Sequence, residues 1–169
     1  MNQDNSLLLS LRGWSLDRQT PQGPRPVLQE IDLDIHAGRW LAIVGANGSG
    51  KSSLLKYLAS EDSPLADTAA IMFQDPDDQI FATGVDREIT LGRGDGDPAA
   101  VRREFGLEGL GEMNPRLLSA GQKQRLVLAV ALGDQPKVLF CDEPTSLQAT
   151  TSFHSLHSFT IFETNIDIF

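Results

Sequence analysis

Gly45, Gly50, Lys51 and Ser52 fit the spacing G-x-x-x-x-G-K-S, and residue types in that order can hold a chain of phosphates. Such an anion carries several charges, so it needs many donors close together and no side chains in the way. Gly45, Gly48 and Gly50 let the backbone curl and aim its N–H groups inward. Lys51 can reach the terminal phosphates and Ser52 can ligate Mg²⁺. A helix starting there would turn its positive end toward the anion. Asn47, Ser49 and Ser53 complete the loop residues expected against the nucleotide.

Such a loop works only between a strand and a helix. Residues 40–44, WLAIV, form a short apolar run suited to a buried parallel strand, and in 52–58 Leu54, Leu55 and Leu58 fall at helical spacing. That context argues against glycines serving as an incidental turn.

The other elements follow in chain order. Residues 7–11 and 27–35 read as strands, the second alternating Ile31, Leu33 and Ile35 with Asp32 and Asp34, as a sheet with one wet face should. The proline- and glycine-bearing stretch 18–26 reads as a loop between them. After the first helix an acidic, polar stretch over 60–67 leads to a strand over 68–73, and Gln74 stands at its end. The acidic run Asp75, Asp77 and Asp78 reads as a solvated turn rather than a metal site. Residues 80–91 turn helical toward their end, 92–97 break that helix, and Asp97-Pro98 starts another that runs to about 105. Ser119 caps a helix reaching to 132, apolar over most of its surface and so expected to be buried. Gly133 ends it. Residues 137–141 form a buried strand with Asp142-Glu143 at its C-terminal end, where open α/β sheets place ligands. Trp14 and Trp40 are expected in the core.

At 169 residues the chain has the size of one domain. Its longest apolar run, 126–132, is too short to span a membrane, and the N-terminus lacks the basic start and apolar core of a signal peptide. A cytoplasmic protein is expected, with any membrane role supplied by partners. The net charge of −9 argues against nucleic acid as a partner, since holding a nucleic-acid backbone calls for clustered Lys and Arg. One cysteine, Cys141, rules out an internal disulfide and a multi-cysteine zinc site, and its apolar run makes it a small buried hydrophobe.

Taken together, these segments resemble the ATP-binding subunits of ABC transporters. LSAGQKQR over 118–125 is similar to the family signature usually written LSGGQ, and VLFCDEPTS over 138–146 to its Walker B strand and turn. Gln74 matches the Q-loop glutamine, and FQDPDDQIFATGV over 73–85 resembles the Q-loop of energy-coupling-factor ATPases, which drive vitamin and metal-ion uptake. The resemblance implies an α/β phosphate-loop NTPase of ABC type: N-terminal antiparallel strands, a parallel core sheet and a small helical subdomain over about 75–118, all within a domain of residues 1–147. It implies ATP and Mg²⁺ as cofactors, with Asp142 holding the metal's hydration shell, Glu143 polarising the attacking water, and Gln74 sensing metal and γ-phosphate. Ser119, Gly121 and Gln122 would cap ATP bound by a second ATP-binding subunit, identical or different, in a head-to-tail sandwich. Transmembrane transporter subunits would dock on the 74–85 region. The physics agrees, because phosphoryl transfer needs positioning and charge neutralisation more than covalent chemistry. The plainer readings, an acidic turn for Asp142-Glu143 and a solvated polar for Gln74, stand beside these.

The sequence also departs from the family. An aromatic usual in the first loop, where it stacks on adenine, falls on Arg18, whose guanidinium can also stack on a base. The stretches 51–74 and 74–119 are short. After Leu147-Gln148 no family pattern continues, so residues 148–169 read as an atypical tail, as after a frameshift or early stop, and His154 and His157 read as surface or packing residues rather than a switch histidine. The C-terminal part of the fold is therefore expected to be incomplete, with 161–169 available as an edge strand. Two functions remain: an ATPase subunit energising a membrane importer for a vitamin or metal ion, and a nucleotide-binding remnant or regulatory module with little or no turnover. A soluble ATPase acting on DNA is disfavoured by the acidic balance.

Overall fold

Alternating apolar residues over 7–16 and 27–35 can cover a core only if the two stretches lie side by side. In the computed structural model, which describes residues 6–94, 96–142 and 161–162, they do. Strand β1 (Leu7–Thr20) and strand β2 (Gly23–His36) pair antiparallel from Leu7 opposite His36 to Thr20 opposite Gly23. The register shifts at several points between Leu7 and Asp17, so the ribbon bends along its length.

The stretch 18–26, expected as a loop, is instead the tip of this hairpin. Only Pro21 and Gln22 turn, and Thr20 Oγ1 donates to Gly23 O at 2.7 Å. Pro24 and Pro26 are tolerated because a two-stranded ribbon leaves outer edges on which no N–H is required. The expected wet face of β2 is present: Asp32 and Asp34 are exposed, while Ile31 and Leu33 are half-buried and Ile35 is fully buried.

The chain divides into two compact units. Among the described residues the first takes those up to 71 together with 137–142 and 161–162, and the second takes 72–136. In the first unit, helix α1 (Lys51–Leu58) sets Leu54, Leu55 and Leu58 against Leu9, Leu11 and Ile35 of the hairpin and Val138 and Phe140 of β4. Trp14 packs on Tyr57 with ring centroids 4.4 Å apart. Strands β3 (Ala69–Met72), β4 (Val138–Cys141) and β5 (Ile161–Phe162) form a sheet in the order β3-β4-β5, with β4 and β5 parallel. All four residues of β4, Cys141 among them, are buried.

Two expectations fail here. Residues 40–44 are not a strand, and Trp40 is 70% exposed rather than in the core. Leu41 and Ile43 pack on the core while Ala42 and Val44 face outward, so the stretch has a strand's alternation without a ladder. Apolar content reports burial; it does not by itself make a ladder, and 40–44 belongs to neither sheet.

In the second unit, helix α2 (Val85–Arg93) ends at Gly94, and helix α3 (Pro98–Glu104) is capped by Asp97, whose carboxylate accepts from Ala99 N at 3.0 Å. Helix α4 (Ala120–Ala131) buries Leu126 to Ala129. The tail 148–169 lies outside the described residues except for the backbone of β5.

Candidate phosphate-binding site

The loop between Val44 and α1 has the shape that its glycines allow. Gly48 and Gly50 adopt positive φ of 79° and 95°, a region that a side chain disfavours. A Cβ on Gly50 would also come within 2.8 Å of Leu28 Cδ2 and 3.2 Å of Val27 Cγ1. The hairpin is thus packed directly against the end of the loop.

Gly50 precedes the first turn of α1, which has no side-chain cap and no acidic residue. Its leading N–H groups therefore remain available to an anion. Lys51 Nζ donates to Gly45 O at 2.7 Å and Ala46 O at 3.1 Å, which holds the ammonium over the loop. Asn47, Ser49 and Ser52 are exposed on the same loop and first turn, and Ser53 is half-buried. Concentrated N–H donors, one ammonium, hydroxyls and no carboxylate within residues 45–53 suit a polyphosphate.

Asp142 follows the buried strand β4 and is half-buried, within the same unit as the loop. A carboxylate there and the Ser52 hydroxyl are hard oxygen donors of the kind Mg²⁺ takes. Glu143, His154 and His157 lie outside the described residues.

The second unit carries Gln74, exposed just past β3, and Ser119, Gly121 and Gln122 at the start of α4. Ser119 and Gln122 form a reciprocal capping box: Ser119 Oγ accepts from Gln122 N at 3.3 Å, and Gln122 Oε1 accepts from Ser119 N at 2.9 Å. The Ser119 O–H and the Gln122 amide N–H groups are left to donate elsewhere.

Three features escaped the sequence. Asp77 of the acidic run accepts from Lys123 Nζ. Glu88, 97% buried, accepts from Phe81 N at 3.0 Å and Ala82 N at 2.5 Å. Arg25 stands directly across the ribbon from Arg18. The partners in the first pair are 46 residues apart, and no local spacing announces them.

A family model described as ABC transporter matches residues 28–146. The chain belongs to the ABC transporter family. It is 36% identical over 166 residues to the energy-coupling factor transporter ATP-binding protein EcfA1 of Symbiobacterium thermophilum, covering 79% of this chain and 58% of that protein. It is 38% identical over 145 residues to the aliphatic sulfonates import ATP-binding protein SsuB 1 of Agrobacterium fabrum, covering 72% and 50%. The chain thus spans about half the length of the relatives it matches. Among solved structures it is similar to cbiO1 from Clostridium perfringens, described as part of the ABC transporter complex cbiONQ. That match has a TM-score of 0.71 at 25% identity and covers 95% of this chain and 79% of the other. No helix among the described residues is long and apolar enough to cross a membrane.

Proposed function

We propose that this chain binds and hydrolyses Mg·ATP, and that it works on the inner face of a cell membrane to energise an importer for a vitamin or metal ion. The observation that carries this reading is the loop at 45–53, with Lys51 held over it and the uncapped first turn of α1 behind it. Backbone N–H groups of the loop bind the phosphates and Lys51 leaves its carbonyl partners for the terminal ones. Mg²⁺, held by Ser52 and Asp142, would neutralise charge developing on the phosphates, and Gln74 is the residue that would sense it. Glu143 orients the attacking water, and Arg18 lies against the base.

Ser119, Gly121 and Gln122 donate to nucleotide on a second ATP-binding subunit, using the donors their capping box leaves over. Phe81 and Leu91, 80% and 72% exposed beside a recess on the second unit, offer apolar surface to a transmembrane partner. The likeness to energy-coupling-factor relatives supports the vitamin or metal cargo, and the Q-loop region supports the docking.

The test is steady-state Mg·ATP hydrolysis across a range of protein concentrations, beside Glu143→Gln and Lys51→Ala. Turnover that is lost in both variants and rises more steeply than linearly with concentration is expected. Lys51-dependent ATP binding without turnover would identify a binding module instead, and binding indifferent to Lys51 would overturn the reading.

A further inference from the structure

Residues 73–79 lie within the second unit, between the buried residues Met72 and Ile80. The stretch carries two glutamines. Gln74 is exposed and has a role in the reading above; Gln79 is half-buried and has none. The Gln79 side chain reaches back to the start of the stretch, where its Oε1 accepts from Phe73 N at 2.6 Å.

This bond stands where strand β3 stops. The strand ends at Met72, and the N–H that follows goes to an acceptor at the far end of the loop. The remaining bonds of the loop are more local. Asp75 Oδ1 accepts from Asp77 N at 2.9 Å, and Asp75 O accepts from Asp78 N at 3.2 Å. These shape the 3₁₀ turn Pro76–Gln79, but neither involves residue 73 or 74. The Phe73–Gln79 bond therefore closes the neck of the loop. It fixes the planar peptide between Met72 and Phe73, which limits where the Cα of Gln74 can sit.

From this closure, and resting on the reading that Gln74 senses Mg·ATP, we infer that Gln79 is a positioning residue: its side-chain oxygen holds the chain where Gln74 leaves β3. With the neck untied, the backbone at 74 samples other directions. Only the fraction of molecules with Gln74 correctly set then gains from the metal, and the apparent affinity falls by that fraction. The bond uses only the carbonyl oxygen, an acceptor that glutamate shares and that methionine, of nearly the same length, replaces by a weakly accepting thioether.

The quantity to measure is the factor by which Mg²⁺ tightens ATP binding to the full chain, the Kd without the metal over the Kd with it, since a metal sensor contributes only when the metal is bound. Gln74→Ala should lower this factor. Gln79→Met should lower it by about threefold, the scale of one ordinary hydrogen bond, and Gln79→Glu should keep it. Gln79→Met added to Gln74→Ala should lower it no further, because the two residues act through one contact. Amide hydrogen exchange at Phe73 should be slow in the unaltered chain and in Gln79→Glu, and faster in Gln79→Met. A purely structural role would lower the melting temperature of Gln79→Met and weaken ATP alike with and without Mg²⁺, leaving the factor where it was. That result, a loss as large in Gln79→Glu, losses that multiply in the double variant, or fast exchange at Phe73 in the unaltered chain overturns the inference and leaves the role of Gln74 standing. If the unaltered chain shows no such factor, or Gln74→Ala leaves it unchanged, the sensor reading itself fails and takes the inference with it.

Discussion

Lys123 reaches from helix α4 to Asp77, its Nζ 2.8 and 2.7 Å from the two carboxylate oxygens. The lysine side chain is only 13% exposed and the aspartate 40%. Asp77 sits in the 3₁₀ turn (Pro76–Gln79), which Asp75 caps by accepting from Asp77 N at 2.9 Å. Lys123 follows directly on the Ser119–Gln122 capping box. One ion pair thus fastens the turn after Gln74 to the start of α4, within a single unit.

Lys123→Met keeps the apolar stem and removes the charge. It is expected to cost about 1 kcal/mol of stability, near the upper end for a pair with one exposed partner. ATP hydrolysis should fall more than ATP affinity does, because the phosphate loop lies in the other unit. The exchange Asp77→Lys with Lys123→Asp should recover part of the loss. If turnover is unchanged in Lys123→Met while the melting temperature drops, the pair serves stability alone.

Gly50→Ala meets two obstacles at once. Its φ of 95° is costly for any residue with a Cβ, about 1–2 kcal/mol, and the added methyl would meet Leu28 Cδ2 at 2.8 Å. Leucine can rotate away; the backbone cannot change sign without redirecting the N–H groups. The expected outcome is a modest loss of stability with a loss of nucleotide affinity of roughly tenfold or more, since hydrogen bonds to charged groups are worth about 1.5–3 kcal/mol each. Wild-type affinity in Gly50→Ala would show that the loop's N–H groups do not carry the phosphates.

Local chemistry explains which parts of this architecture are legible in the sequence. Asp97-Pro98 announces the start of α3, Ser119 with Gln122 announces α4, and Leu54, Leu55 and Leu58 announce the buried face of α1, because caps and helical periods act within a few residues. The hairpin tip is not legible because proline and glycine mark turns on average, whereas a two-stranded ribbon is the setting that tolerates Pro24 and Pro26. The conformation of 40–44 is not legible either, because a strand is a relation between two segments. The ties made by Lys123, Glu88 and Arg25 depend on which segments the fold brings together.

Glu88 supports the stretch between Gln79 and α2. Its buried carboxylate accepts from the N–H groups of Phe81 and Ala82, holding the exposed ring of Phe81 outward. Glu88→Ala would strand two part-buried donors and is expected to destabilise the second unit by about 2–4 kcal/mol. Hydrogen exchange at Phe81 and Ala82 should accelerate more than at Leu126 to Ala129, which are buried in α4. Unchanged exchange at 81–82 would mean that other contacts hold the segment.

Arg12 and Asp34 provide a test of pH dependence on the hairpin. Arg12 Nη2 donates to Asp34 at 2.7 Å, and this bond, followed by one from Ser10, holds the Asp34 carboxyl below its ordinary range. A pKa lowered on folding means that the unfolded chain binds more protons in that window, so the contribution to stability is present above the ordinary carboxylate range and is lost as pH falls through the folded value. Asp34→Asn should therefore lower the urea midpoint slightly near about pH 7, and the gap to the wild-type value should close as the pH is taken down through the lowered folded value, where the carboxyl takes up its proton. The effect is small because both partners are exposed to solvent. A midpoint gap of equal size above and below that value would assign it to the shape of the amide rather than to the charge that Arg12 stabilises.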